Sequence, residues 1–306
     1  MTVRDETRFL VAVMGPTASG KTALAEALAG RIGAVLVNAD AFQVYRGLDI
    51  GTGKPAARER YRLLDIVEPS ESFGVGEWVV RASAELGSIW EQGRSAVVVG
   101  GTGLYVRALL ESYRDMRPAP DPRVRREVAE FERREGLPAL VARLLALDPG
   151  TRVDLSNPVR VRRALERRLD PRPPIRFDLP PFRVLKVGIV PDVAALAERI
   201  SRRVDAMLAS GWREEVRDLA ARGVTRDCPA MRAIGYRALF DEVVGVSSSR
   251  EIRLQIATET RQYAKRQMTW LRSEPRLTVL SHFGDESPAL EQTLDWMNNS
   301  LRKNHG

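Results

Sequence analysis

Residues Gly15-Pro16-Thr17-Ala18-Ser19-Gly20-Lys21-Thr22 match G-x-x-x-x-G-K-[ST] at every fixed position, the pattern of a loop that cradles phosphate groups. The glycines permit a tight turn. Successive backbone N–H groups then converge on phosphate oxygens, and the N-terminus of the following helix adds a favourable dipole. Lys21 is placed to contact the outer phosphate of a diphosphate or triphosphate, and the Thr22 hydroxyl to ligate Mg²⁺. Only five of the 48 basic residues are lysines, and one of them stands where a compact ammonium suits a phosphate.

A phosphate cradle does not name a reaction. NTP hydrolases carry an acid at the end of a buried strand to hold Mg²⁺, whereas the apolar run 95–100 ends in Gly100-Gly101-Thr102-Gly103 with no acid after it. Asp40, just after the apolar run 34–38, is the acid best placed to face the cradle. Asp40 and Thr102 then fall near the carboxyl ends of adjacent strands, where open α/β sheets bind ligands. The competing readings are a turn cap for Asp40 and an N-cap of a helix at 103–111 for Thr102. The lone Cys228 allows no intrachain disulfide, and with only His282 and His305 beside it no Cys/His zinc site can be built.

The elements that must position these groups follow from the pattern. Apolar runs at 9–14, 34–38, 63–67, 95–100 and 184–190 read as strands, with helical patterns at 21–32 and 73–93 between them. That alternation predicts an α/β fold: a P-loop NTPase-like parallel sheet with helices on both faces. Three prolines in 112–122 and five in 170–182 mark linkers. Between them, 123–169 is Arg-rich and helical, with breaks at Leu137-Pro138, Asp148-Pro149-Gly150 and Asn157-Pro158. The expected organisation is a discontinuous core, 1–114 and 184–306, interrupted by a small all-helical insertion domain at 115–183. Residues 193–272 are helical with breaks near Gly211, Gly223, Gly235 and Ser247–Ser249, and a strand at 277–280 and a helix near 287–302 follow.

The 306 residues carry 44% apolar residues and a net charge of +8, an ordinary globular composition with a surface suited to a polyanion. No apolar run is long enough to span a membrane. The start MTVRDETRFL lacks the apolar segment of a signal peptide, so a cytoplasmic protein is expected. A monomer is the default, since no coiled-coil seam is present.

Beyond the cradle, the ordered segments NADAFQVYRGLDIGTGKP (38–55), GGTGLYVRALL (100–110), NPVRVRRALE (157–166), MLASGWREEVRDL (207–219), MRAIGYRAL (231–239) and TRQYAKRQMTWLR (260–272) resemble those of the tRNA dimethylallyltransferases, over most of the chain. The resemblance implies transfer of a dimethylallyl group from dimethylallyl diphosphate to N6 of the adenosine 3′-adjacent to the anticodon. The P-loop would hold the diphosphate with Mg²⁺, Asp40 would be the general base, and Thr102 and Lys21 would join it as catalytic residues. The insertion would grip the anticodon stem-loop. Expected RNA contacts are Asp40, Ala41, Phe42 and Gln43 beside the target base; Arg125, Arg160, Val161, Arg162 and Arg163 in the insertion; Arg232, Gly235, Tyr236 and Arg237; and Lys265, Arg266, Gln267 and Arg272. For any single Arg a solvated helix face competes, and Ala164, Leu239, Leu271 and Trp270 read as packing residues.

The chain departs from the family's pattern in three places. Ala41 stands where Ser is usual, Tyr61-Arg62 where His is frequent, and the segment after RALE is short and Pro-rich. Three other readings compete: an adenylate isopentenyltransferase acting on free AMP, ADP or ATP; a P-loop small-molecule kinase; and a non-catalytic RNA-binding module.

Overall fold

The computed structural model describes residues 8–111, 116–246 and 251–302. The charged start, residues 112–115 of the first linker, the Ser247–Ser249 break, Lys303 and His305 lie outside the described residues. Phe9–Met14 (β1), Val35–Asn38 (β2), Tyr61–Arg62 (β3), Ala96–Gly100 (β4), Arg183–Ile189 (β5) and Leu277–Leu280 (β6) form one sheet in the order β3-β2-β4-β1-β5-β6. Every pairing is parallel. Strands covered on both faces read as continuous apolar runs rather than alternating ones, and β1 is buried at all six positions.

Alternation along the strands sends side chains to two helical layers. Phe9, Val11 and Val13 of β1 pack with Leu24 and Leu28 of α1 (Lys21–Ile32) and with Ala289 and Met297 of α10 (Ser287–Arg302). The opposite face meets α2 (Val75–Glu91), whose Trp78, Val79, Ala82, Leu86 and Ile89 form a buried helical stripe, and α3 (Gly103–Leu110) packs beside α2. A fully buried large apolar side chain contributes about 1.5–3 kcal/mol, so these stripes hold the helices against the two faces of the sheet. Because β4 lies between β2 and β1, the loops after these three strands stand side by side at one edge.

The third strand differs from the expected 63–67. It is only Tyr61–Arg62, because Leu63 and Asp65 take left-handed backbone angles, φ 64° and 53°, that end an extended chain. Those angles serve tertiary contacts: Asn38 Nδ2 donates to Leu63 O at 3.0 Å, and buried Lys54 pairs with Asp65. Of the expected segment, Val67 alone makes a bridge, to Tyr45.

After β5, the helices α6 (Val193–Ala209), α7 (Trp212–Ala221), α8 (Tyr236–Val243) and α9 (Ile252–Arg272) share a second core with the segment after β2. It includes Val44, Leu48, Trp212, Val216, Tyr236 and Ile256.

Contacts divide the chain into two compact units, one within Met1–Ser112 and Phe177–Gly306, the other within Tyr113–Arg176. Residues 177–182, expected with the insertion, group with the core, and the Phe182 ring stacks on Trp90 at 5.1 Å. In the second unit α4 (Pro122–Leu147) kinks at Gly136, φ 78°, just before Pro138. Asp121 and Asn157 cap α4 and α5 (Pro158–Leu169) by accepting backbone N–H bonds. Val128, Leu140, Leu144, Val161 and Leu165 form its core.

Candidate active site

The cradle forms where β1 hands over to α1. Gly20 is left-handed at φ 81°, and α1 starts at Lys21. A Cβ on Gly20 would lie 2.5 Å from Asp285 Oδ1 and 2.7 Å from Asp285 N, so only glycine fits beneath the segment after β6. Gly284 N donates to Ser19 O at 2.9 Å, tying that segment to the loop. Lys21 Nζ donates to Pro16 O at 3.3 Å. Burial pushes the Lys21 pKa down to about 8, with Asp40 opposing and Arg203 adding to the shift.

Asp40 follows β2, held by a bond from its own N–H to Asn38 Oδ1 at 3.1 Å. Its Oδ1 accepts from Phe42 N at 2.9 Å and Gln43 N at 3.3 Å. The carboxylate therefore caps the 40–43 turn and also acts electrostatically on Lys21 and Arg203, so the cap and site readings coexist. Thr102 occupies the N-cap position of α3 but makes no side-chain cap bond. Its Oγ1 instead accepts from Ala41 N at 3.1 Å, joining the loops after β2 and β4. Gly100 permits this closeness, since a Cβ there would lie 2.1 Å from Ala39 O.

Thr17 to Ala23, Asp40, Phe42 and Gln43 share one cavity of about 480 Å³ with Gly51–Gly53, Arg203, Arg232, Tyr263, Arg266, Gln267 and an apolar wall of Val204, Met207, Trp212 and Ile256. Thr22 lines it from the first turn of α1. Gln43 Nε2 is committed to Thr52 O and Gly53 O, at 3.1 and 3.2 Å. The 49–54 loop that forms this wall is fixed from behind. Glu215 accepts from Asp49 N (2.8 Å), Ile50 N (2.6 Å) and Tyr236 OH (2.6 Å), and fully buried Lys54 pairs with Asp49 at 2.8 Å.

The expected RNA contacts divide by burial. Arg232, Lys265, Arg266 and Arg272 are exposed in the first unit, Arg232 and Arg266 on the cavity wall. Tyr236 and Val161 are 0% exposed and belong to the two cores. Gly235, at φ 88°, leaves room for the Trp212 ring. These three are packing residues, a correction that follows from their burial. Arg237 is half-buried, its Nε enclosed without a hydrogen-bond partner. Gln267, 7% exposed, bridges backbone groups instead of facing solvent. In the second unit, Arg125 and Arg163 pair with buried Glu166, Arg162 with Glu132 and Arg160 with Asp154. Ala164, Leu239 and Leu271 are buried, and Trp270 packs under the Arg107 guanidinium at 4.7 Å.

Two site residues escaped the sequence reading. Arg203 on α6 has no hydrogen-bond partner among the described residues; burial disfavours its charge and Asp40 supports it. It lies over Gly53, where a Cβ would be 1.8 Å from its guanidinium. Tyr263 on α9 also lines the cavity; burial, then Asp40, pushes its pKa up, and Thr102 and Gln267 oppose. None of the family-like segments covers Arg203, and Tyr263 lies within TRQYAKRQMTWLR with nothing local to set it apart from its neighbours.

A family model described as IPP transferase matches residues 43–274, and one described as isopentenyl transferase matches residues 9–64. The tRNA dimethylallyltransferase of Geobacter metallireducens is 42% identical, over 92% of this chain and 94% of its own. That of Syntrophobacter fumaroxidans is 40% identical, over 96% and 90%. The crystal structure of the full-length tRNA isopentenylpyrophosphate transferase from Bacillus halodurans superposes with a TM-score of 0.72 at 34% identity, covering 96% of this chain and 97% of that one. A eukaryotic dimethylallyltransferase acting on tRNA shares the fold, with a TM-score of 0.71 at 21% identity over 95% and 80% of the two chains. With the cradle, the carboxylate and these matches in agreement, the chain belongs to the IPP transferase family.

Proposed function

We propose that the protein transfers a dimethylallyl group from dimethylallyl diphosphate to N6 of the adenosine 3′-adjacent to the anticodon of tRNA, releasing diphosphate. The observation that carries this reading is one cavity holding both a phosphate cradle and a carboxylate, Asp40, in electrostatic contact with Lys21. The relatives named tRNA dimethylallyltransferase support it.

In the reaction the allylic C–O bond breaks, diphosphate keeps the electron pair, and N6 bonds to the allylic carbon while its proton passes to Asp40. The allylic carbon delocalises positive charge, so the main demand is to stabilise the leaving diphosphate. Lys21, Arg203 and the loop N–H groups meet that demand electrostatically. An exocyclic amine is a weak nucleophile, and a carboxylate accepting its proton raises its reactivity. The apolar wall limits water around the reacting carbon. Among the described residues no group of three or more His, Cys, Asp or Glu could hold a metal alone. Mg²⁺ commonly binds through few protein groups plus substrate phosphates, so the Thr22 hydroxyl with the diphosphate fits it. When bound there, the ion would neutralise part of the leaving-group charge.

Arg232, Lys265, Arg266 and Arg272, with the insertion's Arg125, Arg160, Arg162 and Arg163, would meet RNA phosphates. A monomer acting in the cytoplasm fits this reading, and among the described residues no helix is long and apolar enough to cross a membrane. The test is to incubate the protein with Mg²⁺, dimethylallyl diphosphate and either unmodified tRNA or AMP, then weigh the nucleosides. A five-carbon gain on adenosine from tRNA alone supports the reading. Gain on AMP alone replaces the acceptor, and no gain with ATP consumed replaces the reaction.

A further inference from the structure

Gln267 stands in the most basic run of α9, yet its amide faces inward. Its Oε1 accepts from Thr17 N at 2.9 Å, and its Nε2 donates to Gly101 O at 2.9 Å. The first partner is in the phosphate cradle after β1, the second in the loop after β4 next to Thr102. The approach is close enough that a Cβ on Gly101 would lie 2.3 Å from Nε2. Thr102 Oγ1 in turn accepts from Ala41 N, beside Asp40. One primary amide thus links the group that holds the diphosphate to the segment that carries the proton acceptor. The linkage needs both halves of the amide, because one partner is a donor and the other an acceptor.

We propose that Gln267 is a positioning residue that sets the separation between the diphosphate cradle and the Asp40–Thr102 side of the site, and that it does not contact RNA. It also commits the Thr17 N–H, leaving the phosphate-facing donors to the later loop residues. In-line transfer depends on this separation, since a displacement of about 1 Å costs about 10²-fold in rate. The proposal rests on the transferase reading for its kinetic consequence, but the bridge itself is testable without turnover.

The experiment compares wild type, Gln267→Leu and Gly101→Ala in the full chain. Hydrogen exchange at the Thr17 amide reads the bridge directly. Protection should fall at least about tenfold in Gln267→Leu while the α1 amides stay protected, because a buried hydrogen bond is what protects such an amide. At saturating substrates kcat should fall about ten- to hundredfold, with the Kd for tRNA within about threefold of wild type. Gly101→Ala pushes the amide away from the other side and should reproduce the kcat loss, and the double variant should be no worse than Gln267→Leu, the non-additivity of groups acting through one contact. Unchanged kcat with weakened tRNA binding overturns the proposal in favour of an RNA contact, and so does unchanged Thr17 protection. If Gln267→Leu does not fold, Gly101→Ala carries the same comparison. A wild type that transfers nothing to tRNA counts against the transferase reading alone, and Thr17 exchange still decides the bridge.

Discussion

Lys21 makes the affinity for the diphosphate depend on pH in a way that can be worked out in advance. Its pKa in the free protein is lowered to about 8, first by burial, against Asp40 and with Arg203. A bound diphosphate supplies an opposite charge and raises that pKa in the complex. As pH rises through about 8 the free protein therefore loses a proton that the complex keeps, and binding weakens. Phosphate ionisation, with a second pKa of about 6, is largely complete over this range and does not reverse the trend. The charged fraction of Lys21 falls from about nine-tenths at pH 7 to about one-tenth at pH 9. Kd should rise about tenfold, or about 1.4 kcal/mol. Isothermal calorimetry with dimethylallyl diphosphate and no acceptor, in buffers of different ionisation heat, should show uptake of about half a proton at pH 8. Lys21→Arg, which stays charged, should show neither effect. A flat Kd between pH 7 and 9, or the same slope in Lys21→Arg, would refute the reasoning. Folding stability has the opposite sign. The unfolded chain keeps this proton up to the ordinary lysine range, so the ligand-free protein gains stability from Lys21 as pH rises above about 8.

Asp40→Asn keeps an oxygen to accept from Phe42 N, so the 40–43 turn should survive while transfer falls about 10²- to 10⁴-fold; normal transfer in single-turnover assays would remove Asp40 as the base. Removing a negative charge beside the cradle should leave diphosphate binding equal or tighter. Arg266→Gln should weaken tRNA binding and lower the slope of log K against log salt by about 0.7–0.9, whereas a solvated Arg266 would leave both unchanged in a salt titration. Glu215→Ala leaves the Asp49 and Ile50 N–H groups and the Tyr236 hydroxyl without their acceptor. It should cost about 3 kcal/mol, a melting-temperature fall of about 5–10 °C by calorimetry, and raise KM for the donor as the 49–54 loop loosens.

The legible part of the site was the part whose geometry is local or fixed by the sheet. Eight consecutive residues specify the cradle. A parallel sheet delivers every strand's carboxyl end to one edge, so Asp40 and Thr102 could be placed from their positions after apolar runs. The third strand was misplaced because Leu63 and Asp65 owe their left-handed angles to Asn38 and Lys54, partners that no apolar pattern encodes. Arg203 has the same letter as dozens of solvated arginines, and what separates it is burial over Gly53. Gln267 is the more instructive case, because a signal was present. In α9 the exposed Lys265, Arg266, Thr269 and Arg272 alternate at helical spacing with the buried Ala264, Gln267, Met268 and Leu271. A charge run treated as uniform assigns the whole segment to RNA. Divided by the 3.6-residue period, the same segment puts one amide on the apolar stripe. A buried amide without partners is costly, so Gln267 had to be satisfied inside the fold, and the groups that satisfy it are the two loops whose spacing the chemistry requires.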